Sequence, residues 1–299
     1  MAITKRFRSW LKIGIFSLGL LLGLSLVALV AFRLVTGRGP GILSFGRGVI
    51  SSLKATLHSQ DATQLNHGAF TNIVFLHHST GENLIVQGSV RERFTQAGYS
   101  FWDQGYNAAG LRAPDGASTG YGYSVPNDNT DPDSLARIFS QQVYNYPINA
   151  LSGLLQHEVI IIKSCFAPAN NIRSDSQLED FKSWYTGIRH VMDQHPGKIF
   201  VIVTTPPLNP EETNPEEASK ARAIAEWLKS KEFLNGHPNI VVFDFFDQLA
   251  VSAPSSSEYS MLRPEYRNGA DSHPTQTANE KIGPLFVDFV IRAIEQYRQ

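Results

Sequence analysis

The chain has almost no cysteine. Cys165 stands alone among 299 residues, so no internal disulfide framework holds the fold, and either redox compartment is open to it. Acidic side chains are missing from one end: residues 1–47 carry seven Lys and Arg and no Asp or Glu. Residues 48–299 therefore hold 19 basic against 27 acidic side chains, a net −8. Such a body lacks the clustered positive charge that nucleic acid demands, and no nucleic-acid partner is expected. His-x-x-x-His and His-Glu-x-x-His spacings are absent, which removes the usual sequence support for a zinc hydrolase. The acidic run Asn127-Asp-Asn-Thr-Asp-Pro-Asp133 has neither the Gly at the sixth position nor the terminal Glu of an EF-hand loop. It reads as a turn entering a helix. There is no internal repeat.

What the chain does have is one long apolar run. Residues Ile13 to Phe32 are twenty in a row without a charge; at ~1.5 Å per residue a helix of that length spans roughly the 30 Å of a bilayer core. Lys5, Arg6, Arg8 and Lys12 precede it, and Arg33, Arg38 and Arg47 follow. The expectation is an uncleaved membrane anchor with its N-terminal side cytoplasmic and the body extracytoplasmic, periplasmic or extracellular. A cleaved signal peptide is the competing reading, though its apolar core is usually shorter, about 7–15 residues, and no small-x-small site follows Phe32. The expected division is a tail and anchor over 1–36, a linker over 37–69 marked by Gly37-Arg-Gly-Pro-Gly41 and the polar run Ser59 to Gly68, and a catalytic body over 70–299.

Within the body, apolar runs at Ile73–Leu76, Val159–Ile162, Ile199–Val203 and Ile240–Phe245 read as buried strands, with Tyr99–Trp102 a weaker one. Helical patterns cover Asp133–Gln142 and Ser176–Gln194, the second with Ser176 and Glu179 spaced as a capping box. A third opens at Asn214-Pro215, and a last, from near Thr275, aligns Ile282, Phe286, Phe289, Val290 and Ala293. Alternating strands and helices imply a three-layer α/β/α sandwich with a mostly parallel central sheet. The segment from Asp103 to Asp131 is too long for a plain connector, which marks it as functional or disordered.

In parallel sheets chemistry sits beyond the carboxyl ends of the strands. The first strand ends in His77-His78-Ser79-Thr80-Gly81, the third in Lys163-Ser164-Cys165, the fourth in Thr204-Thr205, and the fifth in Asp244. Asp271-Ser272-His273-Pro274 stands just before the last helix. Ester hydrolysis needs a nucleophile, a base for its proton, a carboxylate to orient the base, and donors for the oxyanion. Ser79, His273 and Asp271 can supply the first three. His77 and His78 read as packed or hydrogen-bonding residues, and Cys165 as a buried thiol.

These blocks resemble the SGNH (GDSL-type) hydrolases over roughly residues 70–299. The resemblance implies a flavodoxin-like SGNH hydrolase fold and a serine esterase without a cofactor. In its terms Ser79 is the nucleophile, and Asp271 and His273 form the final block. The Tyr106-Asn107-Ala-Ala-Gly110 loop would provide Gly110 to the oxyanion hole, together with the Ser79 N–H and an asparagine, Asn170 or Asn171, or Ser164 through its own backbone. This chain departs from the pattern in three places. His77-His78 replaces Gly-Asp before the serine. Asp271 stands two rather than three residues before the histidine, which leaves Asp244 as a substitute orienter. Lys163-Ser164-Cys165-Phe166 replaces the expected Gly-x-Asn-Asp. The aromatic residues Tyr99, Phe101, Trp102, Tyr106, Tyr121 and Tyr123 offer flat faces for a sugar ring or acyl chain, which points to an O-acylated carbohydrate or envelope glycan. Two other readings stay open: a degenerate glycan-binding module on the same fold, and a metal-dependent hydrolase using His77, His78, Asp271 and His273. The same site acting as an acyltransferase is not separable from the esterase by sequence.

Overall fold

The structure is a computed structural model that describes residues 42–164 and 170–299. The chain divides into two units, Met1–Ile50 and Ser51–Gln299. Of the first, the described residues begin helix α1 (Ile42–Leu57). The expected anchor, Ile13–Phe32, and Cys165 lie outside the described residues; among those that are described, no helix is long and apolar enough to cross a membrane.

The second unit is built on a six-stranded sheet in the order β3-β2-β1-β4-β5-β6. Its strands are β1 (Asn72–Leu76), β2 (Ser100–Gln104), β3 (Leu111–Arg112), β4 (Val159–Lys163), β5 (Ile199–Val203) and β6 (Ile240–Phe243). All pairings are parallel except β2 with β3. Every residue of β1, β4 and β5 is buried, which is why these strands are continuous apolar runs. Alternate side chains serve two cores. Val74, Ile160 and Phe200 face one side, with Leu135 of α4 (Pro132–Phe139), Ile188 of α5 (Asp175–Asp193) and Ile224 of α6 (Pro215–Lys229). Phe75, Ile161 and Val201 face the other, with Leu84 of α2 (Ser79–Gln87), Phe94 of α3 (Val90–Gln96) and Phe286 of α7 (Gln276–Tyr297). The three-layer expectation therefore holds. The chain order reverses between β1 and β4, the switch point at which such sheets open a crevice at their carboxyl edge.

Several local expectations change. The stretch expected as a linker is packed from residue 51 onward: Ala55 and Ala62 are buried, residues Ser59–Thr63 are helical, and Ser51 Oγ donates to the Gly122 carbonyl at 2.8 Å. The Glu158 carboxylate accepts the N–H groups of Gly68, Thr71 and Asn72, so the entry to β1 is pinned rather than loose. Helix α5 starts earlier than expected, because Ser174 caps it by accepting the Gln177 N–H at 3.2 Å. Ser174-x-x-Gln177 is itself a capping pattern, two residues ahead of the expected one. Helices α2 and α3 and strand β3 were not legible in the sequence. Of the expected aromatic surface, Phe101, Trp102, Tyr121 and Tyr123 are core residues, and Tyr106 alone of the six is among the exposed large apolar side chains.

Candidate active site

The polar end of β1 turns at once into α2, and Ser79 is that helix's first residue. His78 before it is extended, with φ −128° and ψ −156°. Its carbonyl accepts the N–H groups of Gly81 at 2.9 Å and Glu82 at 3.0 Å, closing the first turn. The Ser79 and Thr80 N–H groups precede any intrahelical partner, so the positive end of the helix dipole sits at the half-buried hydroxyl.

Across from it, His273 Nε2 lies 2.9 Å from Ser79 Oγ, and His273 Nδ1 lies 2.7 Å from Asp271 Oδ1. The same carboxylate oxygen accepts the backbone N–H of His273 at 3.0 Å. That N–H above all, with the ring, holds the Asp271 carboxyl below its ordinary range. An ionised Asp271 requires the ring hydrogen on Nδ1, which leaves Nε2 as an acceptor for the serine hydroxyl. Residues 194 apart in sequence thus form one hydrogen-bonded row.

Two packing contacts bring the halves together. Helices α2 and α7 meet at glycines: a Cβ on Gly283 would lie 2.3 Å from the Gly88 carbonyl oxygen. Beside them Asn279 Nδ2 donates to Gln87 Oε1 at 2.7 Å. The loop carrying Asp271 and His273 is tied to the chain after β5. Asn209 donates its backbone N–H to Ser272 Oγ at 2.8 Å and its side-chain amide to the Gly269 carbonyl at 2.9 Å, while Ser272 Oγ donates to Glu212. Sequence reading passed over Asn209, Ser272 and Glu212; nothing in their residue types or spacing signals the contact. The Asn268-Gly269 pair was the available hint of a tight turn there, and Gly269 indeed has φ +59°.

Two of the expected oxyanion donors, Gly110 and Asn170, are engaged elsewhere. Gly110 donates its N–H to the Tyr106 carbonyl at 3.2 Å. It is glycine because φ is +70° and a Cβ would lie 2.6 Å from the Tyr121 oxygen. Asn170 is buried, and its amide donates to the carbonyls of Thr205 and Pro206; it ties the chain after β4 to the chain after β5. Asn171 Oδ1 accepts from Arg173 Nε at 3.0 Å. Of the expected set, the Ser79 N–H and the Asn171 side-chain amide are donors not engaged elsewhere among the described residues. Asp244, the substitute orienter, caps the helix Phe245–Leu249 and pairs with Lys229, not with His273.

The four groups that could have shared a metal go separate ways. His77 faces Asp103 at 3.0 Å, His273 joins Ser79 and Asp271, and the His78 ring stacks on Tyr106 with centroids 4.1 Å apart. Neither His78 ring nitrogen has a partner, and burial pulls its pKa down to about 4. Among the described residues one trio, His77, Glu82 and Asp103, is compact enough to consider for an ion. Its carboxylates are already claimed: Asp103 by Arg91, and Glu82 by Arg112 at 2.6 Å.

No family profile and no curated protein sequence matches the chain. Three solved structures superpose on most of it. A Streptococcus pneumonia protein named for platelet activating factor is 14% identical, with 83% of this chain and 96% of that one covered at a TM-score of 0.46. A Bacteroides fragilis protein named as an acylhydrolase is 13% identical, covering 79% and 95% at 0.46. A Bacteroides thetaiotaomicron protein named as a GDSL-like lipase is 10% identical, covering 82% and 98% at 0.47. At identities and scores this low, these likenesses carry no chemistry over to the chain.

Proposed function

We propose that this protein is a serine esterase. The observation that carries the reading is the row Asp271–His273–Ser79, with contacts of 2.7 and 2.9 Å, at the carboxyl edge of the sheet beside its switch point. In the proposed reaction Ser79 Oγ attacks the ester carbonyl carbon while its proton passes to His273 Nε2. The Asp271 carboxylate stabilises the imidazolium, and the Ser79 N–H at the helix start donates to the oxyanion. The tetrahedral intermediate expels the alcohol, which takes the proton from His273, and leaves an acyl-enzyme. Water, deprotonated by His273, then releases the acid and restores the serine. A sugar hydroxyl in place of that water would make the same site a transferase.

The substrate class this reading names is an O-acylated carbohydrate, supported by the exposed Tyr106 face one stacked ring away from the nucleophile's neighbour, His78. The proposed location is the extracytoplasmic face of a membrane, on the sequence of Ile13–Phe32 alone.

The test is p-nitrophenyl acetate turnover by the full-length protein beside Ser79→Ala. Loss of about 10⁴-fold in kcat is expected from removing a triad member. Turnover that survives the substitution, or is abolished by a chelator, would favour the metal reading. A wild-type protein that neither turns over nor reacts with a fluorophosphonate would favour the binding module.

A further inference from the structure

Beneath the nucleophile lies a buried polar cluster that the esterase chemistry does not use. His77, the last residue before the extended His78, is fully buried. Its Nδ1 is 3.0 Å from the His78 carbonyl oxygen and its Nε2 is 3.0 Å from Asp103 Oδ2. The ring is caged by two glycines. A Cβ on Gly81 would lie 2.4 Å from the His77 Cβ, and one on Gly105 would lie 3.4 Å from its Cε1. Asp103 in turn is held by Arg91, with Arg112 at 3.7 Å, and Arg91 also donates to the Ala113 carbonyl at 2.7 Å.

The carbonyl that His77 faces is the one that closes the first turn of α2. It already accepts from Gly81 and Glu82, and its peptide plane sets where Ser79 begins. Both atoms facing the imidazole are acceptors, so a ring with a single hydrogen can satisfy one of them. Asp103 has two guanidinium neighbours to offset its charge, whereas only a hydrogen on Nδ1 keeps that nitrogen from setting its lone pair against the His78 carbonyl oxygen at 3.0 Å. We propose that His77 is a positioning residue for the nucleophile: its Nδ1–H holds the His78 carbonyl, and Asp103 with Arg91 holds the ring. Gly81, the last residue of the His77-His78-Ser79-Thr80-Gly81 block, is then required because the helix must sit directly on that ring.

The inference rests on Ser79 being the nucleophile. Asparagine and glutamine separate the two ring nitrogens: the amide of His77→Asn reaches the position of Nδ1, and that of His77→Gln reaches toward the position of Nε2. In the full-length protein, His77→Gln is expected to lower kcat about 100-fold with KM changed by less than about 3-fold, the scale of a misplaced reacting group. His77→Asn is expected to keep kcat within about 10-fold of wild type, since it retains the donor. Equal losses in the two variants, or a His77→Gln enzyme as fast as wild type, would overturn the proposal. The ring nitrogen NMR shifts of His77 in the unsubstituted protein give a second readout, independent of activity and of how the variants fold. A hydrogen on Nδ1 supports the proposal and a bare Nδ1 overturns it. A wild-type protein without turnover or fluorophosphonate labelling would sink the esterase reading, while those shifts would still judge the role of His77 at the turn.

Discussion

The two sides of the candidate site are built by opposite means. Ser79 rises from a buried floor in which His77 and Asp103 are 0% and 1% exposed and two arginines neutralise the carboxylates. The base it faces sits in a loop whose His273 and Asp271 side chains are 34% and 53% exposed. One side is fixed by packing and by the buried His77–Asp103 pair with its arginine partners. The other is held by a few hydrogen bonds from Asn209 and by the glycine contact between α2 and α7. A buried pair is strongly position-dependent, whereas an exposed pair is screened and yields more easily. The nucleophile side is therefore the rigid reference against which the base loop is placed.

Breaking the exposed side should reveal how much that placement matters. After the loss expected for Ser79→Ala, the next largest effect is Asp271→Asn. It removes the charge that fixes the Nδ1–H tautomer, and kcat should fall about 100-fold, less than for a fully buried orienter because water can partly replace the carboxylate. A pH–rate profile would check it. Asn209→Ala should act more mildly: about 10-fold in kcat with little change in thermal stability, because it loosens the loop without touching the core. Should Asn209→Ala instead match Asp271→Asn, the base loop would depend on its tether as strongly as on its charge.

Placement of the two sides was unevenly legible in the sequence. The strands Ile73–Leu76, Val159–Ile162 and Ile199–Val203 show themselves because both sheet faces are covered, leaving no polar alternation to blur the run. The amphipathic stripe of α7 is long enough to read for the same reason. Helix α2 is hidden: it has nine residues, opens on Ser-Thr-Gly, and contains residues of weak helix propensity, so its form comes from packing on α7 rather than from its own pattern. Ser79, His273 and Asp271 were legible because they are reactive residue types at strand ends and before a helix. The other duties of Gly110 and Asn170 stayed hidden, because which backbone and amide hydrogens are already taken is not carried by letters. His77 read as a packed or hydrogen-bonding residue, and its partners became visible only with Asp103 and the two glycines around it.

Burial at the opposite, amino edge of the sheet makes a prediction about stability. His157 is fully buried between the Tyr123 hydroxyl at 2.8 Å and Asn72 Oδ1 at 3.1 Å, and burial pulls its pKa from 6.5 to about 3. Between those values the unfolded chain binds a proton that the folded one refuses, so stability rises with pH across that window and falls as pH drops below 6.5. Each histidine of this kind contributes a slope of about 1.4 kcal/mol per pH unit. Urea unfolding from pH 6.5 to 4 should show this slope, and His157→Gln should make it shallower by about one proton.

The most direct test of the central claim is to react the full-length protein with a fluorophosphonate and map the adduct by peptide mass. A single adduct on Ser79, formed much more slowly in Asp271→Asn and absent in Ser79→Ala, is the result expected if the hydroxyl at the head of α2 is activated by His273. An active enzyme whose adduct lies on any other residue, or that carries none, would contradict it.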